Sequence, residues 1–143
     1  MYSGLKNIVQ SIADVDNIVT SGRGFAVLKN DGSLVSWDYD SSSYSLSYFT
    51  ESPTSNVQSV YSNYRAFAAI KTDGSAMSWG SHKLYSSDDV SHKLADSVTK
   101  IYPSQSGFFA TKTDGEVVYW GMIKDNSSEN VFVDIDVVLN PPA

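Results

Sequence analysis

One stretch of this sequence, Phe67 to Gly80, returns on either side of itself, and that repetition limits the possible folds more than any other property. The copies run from Phe25 to Asp38 and from Phe108 to Gly121. Asp-Gly pairs stand at Asp31/Gly32, Asp73/Gly74 and Asp114/Gly115, spaced 42 and then 41 residues apart, and each copy carries a tryptophan, Trp37, Trp79 or Trp120. A fixed period of that length marks a chain built by stacking one supersecondary unit.

Asp-Gly between runs of β-formers predicts a hairpin, because a two-residue primed turn needs positive φ at both central positions. On that register Thr72 pairs with Ser75, Ile70 with Met77 and Ala68 with Trp79. One face then carries Ala68, Ile70, Met77 and Trp79, and the other Phe67, Ala69, Ala76 and Ser78. In the third copy the sets become Phe109, Thr111, Val118 and Trp120 against Phe108, Ala110, Val117 and Tyr119. Both faces are largely apolar, so each hairpin needs cover on both sides, which sheets stacked on their own kind provide. The tryptophans, at equivalent positions, read as packing residues.

Each unit opens with Val, two polar residues and a β-branched residue: Val15 to Ile18, Val57 to Val60 and Val98 to Ile101. These read as first strands, followed by loops at Ser21 to Gly24, Ser62 to Arg65 and Pro103 to Gly107. The segments between units, Tyr39 to Asn56, Ser81 to Ser97 and Met122 to Asn130, have loop composition. Within the first, Tyr44, Leu46 and Tyr48 alternate with serines, which predicts a short fourth strand. Val131 to Val138 reads as a terminal strand, stopped by Pro141 and Pro142. Leu5, Ile8, Val9 and Ile12 stand at helical spacing without a cap. Ile12 to Val15 also matches Leu94 to Val98 with one inserted serine, so this stretch reads as a lead-in. The fold class is therefore all-β, one domain of three units at about 12–56, 57–97 and 98–138.

The chain has 143 residues, 41% hydrophobic and 18% charged, as a folded domain requires. Ten Lys and Arg against 16 Asp and Glu give a net charge of −6, which opposes binding to nucleic acid or to an anionic membrane. Without cysteine there is no disulfide and no thiolate metal or redox site. No signal-peptide or membrane-spanning stretch stands out, so a cytoplasmic location is the default. A piece of a secreted protein would look the same.

Val-x-x-Ile, a small loop, Phe-Ala-x-x-Lys-Thr-Asp-Gly and a closing Trp-Gly resemble the repeats of the regulator of chromosome condensation superfamily. They also resemble the propeller-type β-lactamase inhibitor proteins that share such repeats. The resemblance covers residues 12 to 121 and implies β-propeller blades packed radially about a channel. Two departures stand out: the first unit ends Trp37-Asp38 instead of Trp-Gly, and the loops before the hairpins lack the Gly and His often seen in the chromatin-associated members. No exchange-factor or inhibitory residue is carried over.

Candidate sites follow from where such stacking gathers variable residues. Arg23, Tyr64, Arg65 and Gln105 occupy corresponding loops and differ from unit to unit, so radial packing collects them on one rim. Tyr39, Tyr44, Tyr48 and Phe49 add a Tyr- and Ser-rich strip, a composition that gives contact area at low entropy cost. Lys29, Lys71 and Lys112, beside the turns, read as solvated gatekeepers. His82 and His92 with Asp88 and Asp89 match no metal-ligand spacing, and no serine lies in a nucleophile elbow. The sequence therefore supports no catalytic residue, metal or cofactor. The favoured function is a non-catalytic module that holds a protein, or a glycan, through rim loops; the alternatives are a small-molecule carrier or enzyme using the central channel, and a fragment of a larger propeller.

Three blades leave two apolar faces uncovered, one carrying Phe25 and Val27 and the other Val118 and Trp120, whereas propellers close at about four to eight blades. The simplest remedy is a homodimer making one six-bladed ring. In it the strand Val131 to Val138 completes a blade of either the neighbouring chain or its own. Met1 and the proline-rich end favour a complete gene product.

Overall fold

The computed structural model describes residues 10, 12–40, 45–49, 52–80, 87–124, 130–132 and 135–138. Three antiparallel sheets follow one another along the chain. The first has strands β1 (Val15–Thr20), β2 (Gly24–Lys29), β3 (Leu34–Asp40) and β4 (Ser45–Tyr48) in that order. The second has β5 (Val57–Ser62), β6 (Ala66–Lys71) and β7 (Ala76–Gly80). In the third, β8 (Val98–Ser104), β9 (Gly107–Lys112) and β10 (Glu116–Lys124) are joined by β11 (Asn130–Phe132) and β12 (Ile135–Val138), both on the free edge of β10. The terminal strand thus pairs within its own chain, in two pieces. The fourth strand predicted from Tyr44 to Tyr48 is present as β4. Of the stretch before the first unit only Gln10 and residues from Ile12 on are described, and Gln10 is helical.

The hairpin turns differ from the two-residue form that the sequence predicts. Lys71 N–H donates to Ser75 O at 2.8 Å and Gly74 N–H to Lys71 O at 3.0 Å, so the loop is Thr72-Asp73-Gly74, with Gly74 at φ 86°. This is the three-residue loop in which a turn is followed by a left-handed glycine. Asp73 Oδ1 fixes it by accepting from Ser75 N–H at 2.9 Å and Ser75 Oγ–H at 2.6 Å. One extra loop residue moves the register by one. Phe67 faces Trp79, Ala69 faces Met77, Ala68 faces Ser78 and Ile70 faces Ala76. The predicted pairing of Ala68 with Trp79 is therefore corrected, and Trp79 shares its face with Phe67, ring centroids 5.8 Å apart. The third hairpin follows suit, with Phe108 opposite Trp120 and Phe109 opposite Tyr119.

A second irregularity explains the Val-x-x-Ile signature. On a regular strand residues three apart point to opposite faces. Each first strand, however, shifts register at its second residue, between Val15 and Asn17, Val57 and Ser59, and Val98 and Lys100. The bulge returns the residue three along to the same face. Val57 and Val60 accordingly share one core cluster, and Val98 and Ile101 the other.

These registers give every sheet two distinct faces. The leading face carries the Phe and the Trp; the trailing face carries an alanine and a serine in the first two sheets, and Phe109 and Tyr119 in the third. The leading face of the second sheet (Phe67, Ala69, Trp79) packs on the trailing face of the first (Ala26, Leu28, Leu34). The leading face of the third (Phe108, Ala110, Val118, Trp120) packs on Ala66, Ala68, Ile70 and Ala76 of the second. Trp79 Nε1 donates to Ser36 Oγ at 3.0 Å and Trp120 Nε1 to Ser78 Oγ at 2.7 Å, so each junction has one buried, satisfied indole. Val118 and Trp120 therefore face inward, and the outer face of the third sheet carries Phe109 and Tyr119. The strands β1, β5 and β8 lie side by side along the inner edge of the stack.

Beyond β7 the described residues form a 3-10 helix, Asp88–Val90, and turns in place of a fourth strand. Ser78 N–H reaches Ser87 Oγ at 2.9 Å and Ala76 N–H reaches Leu94 O at 2.8 Å, while Val90 and Leu94 sink into the core. Among the described residues no helix is long and apolar enough to cross a membrane.

Candidate binding rim

The loops after β1 and β5 share a local construction that the sequence reading overlooks. Ser21 Oγ accepts from Arg23 N–H at 3.2 Å and Gly24 N–H at 3.0 Å. In the next blade Asn63 Oδ1 accepts from Arg65 N–H at 2.9 Å and Ala66 N–H at 2.8 Å. Short polar side chains that cap their own loop need no help from the rest of the fold. The signal was available: Ser21 and Asn63 stand at the same repeat position and are turn-forming types.

Bonds between blades then fuse the loops. Gly22 N–H donates to Tyr64 O at 2.7 Å, Ser62 Oγ–H to Thr20 O at 2.7 Å, and Asn63 Nδ2–H to Gly107 O at 3.2 Å. A Cβ at Gly22 would stand 2.4 Å from the Tyr64 ring, so a side chain there would push the exposed tyrosine aside. Tyr64 lies across Gly22 and is 64% exposed. Arg65 and Gln105 are exposed in the neighbouring loops. Arg23 occupies the repeat position of Arg65, with Nε 3.6 Å from Asp38 Oδ1, and its carbonyl accepts from Tyr39 N–H. Arg23, Tyr64, Arg65 and Gln105 lie on loops that these bonds link.

The other candidates are placed differently. Tyr48 lies on β4 opposite Trp37, its ring centroid 5.3 Å from the indole, so it covers a sheet face instead of joining the loops. Tyr44 lies outside the described residues, as does His82. His92 is exposed, and among the described residues no three His, Asp or Glu come together in a way that could hold a metal. The tryptophans are buried, as packing residues should be. Lys112 departs from a solvated gatekeeper: its side chain is largely covered, with Nζ 3.8 Å from both Asp96 Oδ1 and Glu116 Oε2.

At the opposite end, the hairpin turns join blade to blade through the backbone. Val57 N–H donates to Gly32 O and Val98 N–H to Gly74 O, each at 2.9 Å. Asp31 and Asp73 in these turns titrate below the usual carboxylate range, chiefly because the Ser33 and Ser75 hydroxyls donate to them. Turns that share Asp-Gly in every unit suit construction, and variable loops suit recognition.

No family model and no curated protein sequence matches this chain. Solved structures do. The crystal structure of Prp20p from Saccharomyces cerevisiae, a protein described by its binding properties to Gsp1p and histones, superposes with TM-score 0.58 at 10% identity over 92% of this chain and 41% of that one. A chain in the structure of Kap60 bound to yeast RCC1 (Prp20) gives 0.56 at 14% identity over 92% and 39%. Human WBSCR16 gives 0.52 at 18% identity over 75% and 34%. The three sheets are thus arranged as blades of an RCC1-like propeller, and the chain spans between about a third and two-fifths of the length of these structures.

Proposed function

We propose that this chain is a non-catalytic propeller-type binding module that holds a protein partner through the rim formed by Arg23, Tyr64, Arg65 and Gln105. The observation that carries the reading is the fusion of equivalent loops by Gly22 N–H to Tyr64 O and Asn63 Nδ2–H to Gly107 O. It turns separate variable positions into one preorganised surface with an exposed aromatic at its middle, as interface anchors tend to be. The arginines at positions 23 and 65 place two cationic donors on the rim of an otherwise acidic chain, and such donors pair with carboxylates of a partner. The named binding partners of Prp20p, which are proteins, agree with this class of ligand; a glycan is the other class that such a rim fits. The likeness to β-lactamase inhibitor proteins rests on the repeat residues alone.

The test is affinity capture with the full chain beside a Tyr64→Ala/Arg65→Ala variant. Both side chains are exposed, so the variant should keep its circular dichroism and melting temperature. It should lose the protein that the parent retains; equal retention by both would place the interface elsewhere. An enzyme or ligand carrier would use the inner edge, where β8 presents exposed Tyr102 with Lys100 Nζ 4.8 Å above its ring. No observation there favours a reaction.

Three blades also leave a ring to be completed. Twofold pairing of two copies in a six-bladed ring is the arrangement that the repeat count favours. It requires the trailing face of the third blade to receive the leading face of the first.

A further inference from the structure

The three hairpin turns carry one chemical hazard in common and are not equally guarded against it. In an Asp-Gly sequence the glycine amide nitrogen has no Cβ beside it and can attack the neutral side-chain carboxyl of the aspartate before it. A C–N bond forms, the carboxyl hydroxyl leaves as water with the amide proton, and the resulting cyclic imide then takes water back. Opening at the side-chain carbon restores aspartate. Opening at the main-chain carbon leaves isoaspartate, whose backbone runs through the former side chain and whose composition is unchanged. Two things hold this reaction back: a carboxyl kept ionised, and a turn too firmly fixed to bring the nitrogen against the carboxyl carbon.

The first two turns have both guards. Asp31 Oδ1 accepts from Ser33 N–H at 2.9 Å and Ser33 Oγ–H at 2.6 Å, and Asp73 Oδ1 accepts from Ser75 at the same two distances. Donors to the charged form keep a carboxyl ionised, and both of these titrate below their usual range. The glycines that follow are half-buried, and the next blade clamps their carbonyls through Val57 N–H on Gly32 O and Val98 N–H on Gly74 O. The third turn has neither guard in full. Glu116 stands where the other turns have serine, so Asp114 Oδ1 accepts Glu116 N–H at 2.9 Å and, among the described residues, no hydroxyl. Gly115 is exposed, and among the described residues no amide of a further blade reaches its carbonyl. The bond from each glycine N–H to the lysine carbonyl three residues before it is 3.0 Å in every turn and does not distinguish them.

We infer that Asp114-Gly115 is a modification site, the turn of the folded chain that converts to isoaspartate, whereas Asp31-Gly32 and Asp73-Gly74 are protected. The product presents the former main-chain carboxylate, the group that carboxyl methyltransferases acting on isoaspartate recognise, and it lengthens the turn between β9 and β10 by one methylene. A second copy seated on the third blade would restore the carbonyl clamp but not the hydroxyl. The ranking therefore depends neither on pairing nor on the rim.

Ageing the folded full chain in mildly acidic buffer and mapping its tryptic peptides tests it. The three turns fall in separate peptides, 30–65, 72–83 and 113–124. Isoaspartate shows as a form of unchanged mass that elutes apart and resists an endoproteinase specific for aspartate. Conversion in 113–124 should run at least about threefold faster than in the other two, a factor within the effect of one hydrogen bond. In urea at the same pH, where all three turns are open, the rates should converge, which ties the difference to the fold. Glu116→Ser supplies the missing hydroxyl and should slow conversion at Asp114 about threefold, whereas Glu116→Gln, which removes the same charge and brings no hydroxyl, should not slow it. Ser75→Ala should speed conversion at Asp73 by a like factor, and it decides the matter should the Glu116→Ser chain fail to fold. Equal rates at the three turns of the folded chain, a difference that persists in urea, or a serine exchange without effect overturns the inference.

Discussion

Single residues set the joints of this molecule. Asp14, Asn56 and Ser97 hold φ of 56°, 58° and 63° at the same point of each unit, one residue before the first strand. Their carbonyls accept from Asn30, Thr72 and Thr113 N–H at 2.8, 2.9 and 3.0 Å. Asn and Asp tolerate the left-handed region and serine less so. Ser97→Gly should therefore be neutral or stabilise by up to about 1 kcal/mol, and Ser97→Val should cost about 1–3 kcal/mol in urea unfolding. The tryptophan acceptors give a second contrast. Ser78→Ala leaves Trp120 Nε1 buried and unpaired and should cost about 1–3 kcal/mol, while Ser33→Ala, at an exposed turn, should cost far less. The turn carboxylates predict the acid limb. Because Asp31 and Asp73 titrate lower in the folded chain than unfolded, what they contribute is complete above the unfolded value of about 3.9 and is lost as pH falls through the folded one. A Ser33→Ala/Ser75→Ala chain should lose less stability than the parent between neutral pH and that acid limb; identical pH profiles would refute the assignment. None of the joint residues stood out in the sequence, because a left-handed φ has no side-chain signature beyond a bias toward Asn, Asp and Gly.

At the scale of elements the repeat was legible and its register was not. Asp-Gly marked all three hairpins, yet the same dipeptide serves a two-residue and a three-residue loop. Only the Ser75 carbonyl that closes the turn distinguishes them. That single residue decided which side chains share a face, so Trp79 was assigned to Ile70 and belongs with Phe67. The Val-x-x-Ile pattern held the opposite lesson: a spacing of three on a strand was itself evidence of a bulge. Val60→Ser should cost about 1.5–3 kcal/mol of burial, because the bulge sets Val60 beside Val57 in the core. Trp79→Ala should cost about 3–5 kcal/mol, since it truncates a side chain only 1% exposed and strips Ser36 of its donor. An unchanged melting temperature in either variant would contradict the register. The rim was half legible: Arg23, Tyr64, Arg65 and Gln105 were found by their variability, but Ser21, Gly22 and Asn63, which position them, look like ordinary loop residues.

For the molecule as a whole, the number of blades could be read from the period, but the character of its two ends could not, since that depends on the register. The terminal strands β11 and β12 close the edge of β10 within the chain. Removing residues 125–143 should expose that edge and promote aggregation, visible as turbidity on warming. The substitution of Phe109 and Tyr119 for an alanine and a serine has a consequence of another kind. Were the last face like the others, any copy could seat itself on the next in a heterologous contact, and contacts of that sort run on into fibres unless the rotation happens to close. Two aromatic rings folded over a glycine give the third sheet an outer face of another shape, so a blade that settles there meets rings where the internal junctions present an alanine and a serine.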